Sequence, residues 1–355
     1  MSASPVIAPP ISAGLIGYGL AGRAFHAPLI RAIPALCLTA IATSRVEEVA
    51  ALDPAIRAVA DPAALIADPD IDLVVIASPT GTHADLARDA LMAGKHVVVD
   101  KPFTLTLTEA RSLALLAGER NLHLLVFHNR RWDTCFLSVR DAIERGEIGR
   151  VTQFASHFDR FRPEVRERWR ESGGPGSGVL YDLAPHLVDQ ALVLFGRPEA
   201  VSADVAILRE GGMADDYAQV TLRYPGLRVH LTASMNAPAG DAGGAPRFTV
   251  SGTKGSLVKR LLDPQETQLV AGLRPGDAGW GHDADPLYLY DAAGEETTRP
   301  ALTGHQESYY AGIAQLLAGT GAGPITLEES VAVQEVIEAA RISSAQGRVV
   351  ALPLP

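Results

Sequence analysis

Asp182, His186 and Asp189 stand four and three residues apart inside the apolar run Val179–Gly196. On a helix that spacing gathers all three on one stripe. Polar groups aligned in this way either face water or surround something. A histidine, with an ordinary pKa of about 6.5, is matched to moving a proton near neutral pH, and a carboxylate one turn away can orient the ring or a substrate. The plain alternative is a helix N-cap at Asp182, with Pro185 in the first turn and His186 as a core residue. Asp189 is the less secure third member, a solvated or hydrogen-bonded neighbour.

Two more sets carry chemistry. The apolar run His96–Val99 ends in Asp100-Lys101-Pro102. Pro102 biases Lys101 toward an extended backbone, and the carboxyl end of a strand is where open α/β sheets bind ligands. An ammonium there can donate to a substrate oxygen and favour the alkoxide; a surface lysine paired with Asp100 explains the same residues. Gly17, Gly19 and Gly22 form G-x-G-x-x-G between a strand and a helix. Such glycines allow a tight turn and close backbone approach to a pyrophosphate, so Gly17, Tyr18, Gly19, Leu20, Ala21 and Gly22 are the candidate cradle.

The nucleotide it suits is read at the end of the second strand, Thr43-Ser44-Arg45. NAD would call for a carboxylate there, whereas Ser44 can donate to a phosphate and Arg45 can pair with it through two parallel bonds. NADP is favoured, NAD is possible, and the alternative is that Arg45 is simply solvated. Ser78, Pro79 and Thr80 leave the fourth strand and lead to His83 at a helix start, where they can bond the cofactor; a plain turn with Thr82 as cap fits them as well. Asn129 and Arg130, with Arg131, fall where the two halves of the chain join and can reach cofactor or substrate. His157, Asp159, Arg160 and Trp169 make a polar and aromatic set suited to a hydroxyl-rich ring, with Arg160 and Trp169 as the substrate candidates. With a nicotinamide nucleotide to supply or receive a hydride, no metal is needed.

The elements that must position these residues fall into two patterns, an N-terminal dinucleotide-binding domain over 1–127 and a substrate-binding and oligomerisation domain over 128–355. In the first, short β-branched runs beginning at Ala13, Leu38, Ile56, Leu73, His96 and Leu124 alternate with helical stretches at about 24–32, 62–67, 84–93 and 108–119, with Gly94 and Asn121 as stops for the last two. That is a doubly wound parallel α/β sheet. In the second, a helix ending near Arg145–Gly146 is followed by long alternating strands starting at Val151, Ala200, Tyr217 and Leu227, the last two joined by a type II turn at Pro225-Gly226. With closing helices near 306–318 and 327–346, this reads as an α+β domain with an open, mainly antiparallel sheet. The stretches 238–246 and 263–285 read as surface loops.

Composition narrows the partners. Lys and Arg number 31 against 41 Asp and Glu, so a net charge of -10 repels nucleic acid and anionic membranes. The first residues lack the basic start and apolar run of a secretory signal, which points to a cytoplasmic protein. Cys37 and Cys135 lack metal or redox spacing and read as buried small hydrophobes.

Together, Gly17-x-Gly19-x-x-Gly22, Asp100-Lys101-Pro102 and the D-x-x-x-H pair Asp182 and His186 resemble the Gfo/Idh/MocA oxidoreductases, over about Ser12 to Leu352. Within that family His26–Ile30, Thr43–Arg45, Val126–Asp133 and Tyr181–Leu192 are most similar to the NADP-dependent scyllo-inositol dehydrogenase branch. The resemblance implies an NAD(P)-dependent dehydrogenase with Lys101, Asp182 and His186 as catalytic residues and a polyhydroxylated sugar or cyclitol as substrate. It also implies a Rossmann domain followed by an α/β domain whose open sheet forms the substrate floor and joins a homodimer or homotetramer. Asp100 departs from the family's usual Glu, and Ala184-Pro185 from a common Gly-containing dipeptide. Two other functions fit such a chain: an NADP(H)-binding regulator without redox chemistry, and a nicotinamide-assisted glycoside-cleaving enzyme.

Overall fold

Six parallel strands, β1 (Ile11–Ile16), β2 (Leu36–Ala42), β3 (Arg57–Val59), β4 (Leu73–Ile76), β5 (His96–Val99) and β6 (Leu124–Val126), line up in the order β3-β2-β1-β4-β5-β6. This computed structural model describes residues 6–239 and 244–355; residues 1–5, and the 240–243 part of the expected loop at 238–246, lie outside the described residues. Every residue of β4 and β5 is buried, which is why Leu73–Ile76 and His96–Val99 are continuous apolar runs instead of alternating ones. The reversal of strand order between β1 and β4 is the place where such sheets bind ligands, at the carboxyl ends of the strands.

Local signals set the helix ends. Thr106 accepts the Glu109 N–H while the Glu109 carboxylate accepts the Thr106 N–H, a reciprocal cap that starts the helix Leu107–Arg120. Asn121 ends it in a left-handed conformation at φ 54°. The helix Val46–Leu52, with Glu47 and Glu48 in its first turn, was not anticipated; its single buried residue, Val49, leaves almost no periodic signal.

The chain clusters into two units: one of Met1–Asn129, Glu266–Trp280 and His305–Val331, the other of Arg130–Gln265, Gly281–Gly304 and Ala332–Pro355. The first unit contains the parallel sheet and the helix Ser308–Leu317. The second contains nine strands, β7 (Val151–Asp159), β8 (Ala200–Ala206), β9 (Tyr217–Tyr224), β10 (Leu227–Ser234), β11 (Phe248–Gly252), β12 (Gly255–Lys259), β13 (Leu287–Asp291), β14 (Glu296–Arg299) and β15 (Val350–Ala351), in the order β14-β13-β12-β11-β7-β10-β9-β8-β15. Among the described residues of this unit only β7 and β10 pair parallel; the other ladders are antiparallel. The β9–β10 hairpin turns at Pro225-Gly226 with Gly226 at φ 69°, as the Pro-Gly signal requires. Phe154 and Phe158 of β7, the alternate residues of β9, and Leu187, Val188 and Ala191 of the helix Ala184–Phe195 close one core on the sheet.

Three expectations are corrected here. Cys37 is exposed, because it lies on the open side of β2, whereas Cys135 is buried and its thiol is pushed up to about 12 by burial. The stretch 263–285 is not a plain surface loop: it contains the helix Gln265–Val270, and its acids turn inward. Asp263 accepts the Thr134 and Gln265 N–H groups at 2.7 and 2.8 Å, and Asp283 and Asp285 bracket the buried Lys259 ammonium at 2.8 and 2.5 Å. Composition marks such residues as solvated, but here they satisfy buried donors. Finally, Val179–Gly196 is two helices, Val179–Asp182 and Ala184–Phe195, with Leu183 between them. Asp182 therefore ends a single turn instead of capping the long helix, and Pro185 occupies the first turn of the second helix, where its missing N–H breaks no bond. Among the described residues no helix is long and apolar enough to cross a membrane.

At the edge of the first unit opposite the strands' carboxyl ends, His96 and His123 stack with ring centroids 5.1 Å apart, and His96 Nδ1 accepts the His123 N–H at 3.0 Å. Burial, helped by His123, brings His96 down to about 4. A histidine depressed in the fold contributes stability that is full above its unfolded value and is lost as pH falls. The unfolding free energy from denaturant melts should therefore fall between about pH 6.5 and pH 4, by on the order of 3 kcal/mol from His96. A His96→Asn variant should flatten that part of the profile; an equally steep profile would remove His96 as its cause.

Candidate functional site

In the first unit the glycine loop follows β1 directly. Gly17 sits at φ 96°, and a Cβ there would lie 2.6 Å from the Ala77 carbonyl oxygen; one on Gly22 would overlap the Gly17 carbonyl oxygen. Both positions are glycine because backbone packs on backbone. Gly19 differs: its Cβ would meet nothing within 4 Å. The protein supplies no steric reason for that glycine, whereas close approach of a ligand backbone would, and this is how the residues present fit a pyrophosphate. A helix begins at Ala21 with its first turns wound wide, and runs on through Ala27–Arg31. Tyr18 is buried and its hydroxyl is held up by burial and by Glu48; Leu20 is exposed.

At the end of β2, Ser44 and Arg45 are exposed. The Arg45 guanidinium pairs with Glu48 at 3.0 Å, and Arg23 reaches the same carboxylate at 3.2 Å. Exposed pairs of this kind contribute little, so the guanidinium is readily released to a stronger anion. After β4, Ser78 Oγ lies 2.6 Å from Thr82 Oγ1, Pro79 accepts the Thr82 hydroxyl, and Thr80 is buried. His83 is buried with Nδ1 2.9 Å from the Pro102 carbonyl and Nε2 3.0 Å from the Ser78 carbonyl. Both ring nitrogens thus face backbone carbonyls, to which the protonated one donates, and burial lowers the ring's pKa. His83 ties the loop after β4 to the loop after β5.

Lys101 follows β5, half-buried, and its backbone N–H donates to Asp100 Oδ1 at 2.9 Å. Burial pushes the Asp100 carboxyl up, but His26, Lys101 and His83 around it outweigh that and leave it below the ordinary range. Asn129 is buried and donates to Gln306 at 2.9 Å.

The second unit carries the other candidates. Arg130 is buried against Asp133 at 3.1 Å. Arg131 forms a two-pronged pair with Asp189, at 2.7 to 3.2 Å, and Gln190 donates to the Arg130 carbonyl at 2.8 Å. Asp189, 2% exposed, is therefore an anchor for the Arg130-Arg131 segment and not a solvated residue. His186, 6% exposed, lies one turn earlier and stacks on Phe158 with centroids 6.3 Å apart and planes at 27°. The Arg160 guanidinium sits 5.3 Å from the same Phe158 ring, and Asp159 lies 3.1 Å from His157.

Asp182 accepts from Arg170 Nε at 3.1 Å, and the Arg170 guanidinium stacks on Trp169 at 4.6 Å. Trp169, Arg170 and Asp182 therefore form one chain of contacts. Two residues outside the expected set hold it. Asp215 accepts the Leu180 N–H at 2.8 Å, and its carbonyl accepts Val179 N–H at 2.9 Å, so it caps the Val179–Asp182 turn from another segment; Gly178, at φ 90°, leaves room for its carboxylate. Burial pushes Asp215 up to about 6 against those backbone bonds. Arg209 binds Asp216 at 2.9 Å, Glu171 at 3.0 Å and the Arg162 carbonyl at 2.8 Å, pinning the segment that carries Arg160, Trp169 and Arg170. Nothing in the basic run 160–170 separates Arg170 from its neighbours, and Asp215 and Arg209 act from more than 30 residues away.

The model described as an oxidoreductase family NAD-binding Rossmann fold matches residues 11–128, and that described as an oxidoreductase family C-terminal alpha/beta domain matches residues 140–352. The uncharacterized oxidoreductase YdgJ of Escherichia coli is 48% identical over 331 residues, 92% of this chain and 94% of that one. The scyllo-inositol 2-dehydrogenase (NADP(+)) IolW of Bacillus subtilis is 38% identical over 347 residues, 96% of each. A crystal structure from Klebsiella pneumoniae, 49% identical, superposes with a TM-score of 0.90 over 98% of this chain and 96% of that one.

The two kinds of glycine should separate experimentally. Gly19→Ala should melt close to the wild-type temperature and weaken dinucleotide binding by about tenfold or more, while Gly22→Ala should lose stability by about 1–3 kcal/mol. Unchanged nucleotide affinity in Gly19→Ala, measured by titration calorimetry, would contradict the assignment of this loop.

Proposed function

This chain belongs to the Gfo/Idh/MocA oxidoreductase family, and from that premise we propose that it is an NADP(H)-dependent dehydrogenase acting on a secondary hydroxyl of a sugar or cyclitol. The observation that carries the reading is the open glycine at position 19, on a chain that keeps both Lys101 at a strand end and the Asp182–His186 pair. Gly17 to Gly22 would hold the pyrophosphate, Ser44 and Arg45 the 2′-phosphate, and the Ser78–Thr80 loop, Asn129 and Arg130 the remainder. The bound nicotinamide supplies or accepts the hydride.

The protein's own residues handle the proton and the charge. Removing hydride from a carbinol carbon leaves its hydroxyl proton to be taken away, and His186 accepts it; in the reverse direction His186 returns it. Lys101 donates a hydrogen bond to the oxygen on which negative charge develops, favouring that charge where water is scarce. Asp182, held by Arg170, orients substrate beside the histidine. Arg160 and Trp169 offer a guanidinium and an indole face to a ring with polar edges and apolar faces. The name of the 38% identical relative, scyllo-inositol 2-dehydrogenase (NADP(+)), supports the cyclitol class and the nucleotide. Assembly through the nine-stranded sheet into a homodimer or homotetramer belongs to the same reading.

A panel of inositols and sugars with NADP or NAD, followed by the absorbance of the reduced nicotinamide, tests it. Lys101→Ala and His186→Ala should each lower kcat by about 10²- to 10⁴-fold with nucleotide affinity largely intact. Normal turnover in either variant removes that residue from the mechanism. Arg45→Asp should shift the kcat/KM ratio from NADP toward NAD, and an unmoved ratio refutes the nucleotide assignment.

A further inference from the structure

His26 is 0% exposed on the helix that follows the glycine loop, and Tyr310 is equally buried on Ser308–Leu317. Tyr310 Oη lies 2.6 Å from His26 Nδ1, and His26 Nε2 lies 3.7 Å from Asp100 Oδ1, the oxygen that also accepts the Lys101 N–H. Phe127 packs on the imidazole with centroids 4.2 Å apart and stands edge-on to Tyr309, which confines the ring. Four residues from four segments of the first unit thus meet at the base of Lys101.

The direction of the bonds follows from charge. A neutral imidazole carries one proton, and the partner of one nitrogen decides the state of the other. If the Tyr310 hydroxyl accepted from Nδ1, the lone pair of Nε2 would face a buried carboxylate. If the hydroxyl donates to Nδ1, the proton sits on Nε2 and faces Asp100. Of the two neutral tautomers, only the second sets opposite partial charges against each other at both ends. His83, the other imidazole near Asp100, has both nitrogens on backbone carbonyls and does not substitute for it.

We propose that Tyr310 and His26 are positioning residues for Lys101: the hydroxyl fixes the imidazole tautomer, the Nε2–H faces Asp100, and the carboxylate so held keeps the lysine ammonium at the strand end. This rests on the reading of Lys101 as the group that meets the substrate oxygen. It also accounts for Asp at position 100, since a side chain one methylene longer would crowd the fully buried imidazole 3.7 Å away.

The chain has four lysines, 95, 101, 254 and 259, and Lys254 is exposed. Brief acetylation with acetic anhydride, resolved by peptide mass spectrometry, therefore reports the Lys101 amine against Lys254 without any substrate. Tyr310→Phe keeps the ring and removes the hydroxyl; His26→Gln removes the imidazole, and if it does not fold, Tyr310→Phe alone decides. Either change should raise the Lys101-to-Lys254 labelling ratio by about threefold or more, because the ammonium loses its fixed counter-charge. In an Asp100→Asn background Tyr310→Phe should add nothing further, which a general loosening of the helix would not produce. With scyllo-inositol and NADP, Tyr310→Phe should lower kcat by about tenfold and leave the nucleotide Kd within about twofold.

An unchanged labelling ratio in folded Tyr310→Phe overturns the relay, as does a full additional effect on top of Asp100→Asn. Lys101→Met with undiminished turnover would overturn the underlying reading of Lys101 instead, while the labelling ratio still decides the relay.

Discussion

Asp100 is buried at the carboxyl end of β5, and stripping water from a carboxylate there costs more than any single contact offsets. The surrounding structure is arranged to meet that cost. His26 arrives on the helix after the glycine loop, His83 ties the loops after β4 and β5 together, and Lys101 follows directly in the chain. One desolvated charge therefore links the helix after the glycine loop, the strand end and a helix from far along the chain.

The second unit solves a related problem with different parts. A single turn, Val179–Asp182, cannot hold itself in place, since so short a helix satisfies few of its own backbone groups. Asp215 supplies the missing acceptors and Arg209 ties down the segment that delivers Arg170 to Asp182. On the adjacent helix, Asp189 and Gln190 hold Arg130 and Arg131 while His186 stacks on Phe158. Charged side chains that composition would place in water are used here as internal fasteners, the same use that turns Asp263, Asp283 and Asp285 inward.

Comparison of the glycines separates two kinds of position within one loop. Gly17 and Gly22 are required by backbone contacts inside the protein, so their presence would be expected of this turn whether or not it bound anything. Gly19 has no such requirement, and its side of the loop is open. A motif that is weak as a pattern becomes an argument once each position is asked what a methyl group would strike.

Much of this molecule was legible in its sequence because the signals were local. Continuous apolar runs marked β4 and β5, Asn121 marked a helix end, Pro225-Gly226 marked a hairpin, and the glycine spacing, Asp100-Lys101-Pro102 and the Asp182–His186 pair marked the family. Each of these depends on residues within a few positions of one another, where backbone geometry is decided by neighbours. Tertiary structure alone decided what depends on distance along the chain: the split of Val179–Gly196 into two helices, the extension of the second sheet by β11 to β14, the capping of one turn by Asp215, and the meeting of His26 with Tyr310 284 residues later. No local pattern records such pairings, because a buried polar group needs a partner of the right kind, and only the folded chain determines which residue provides it.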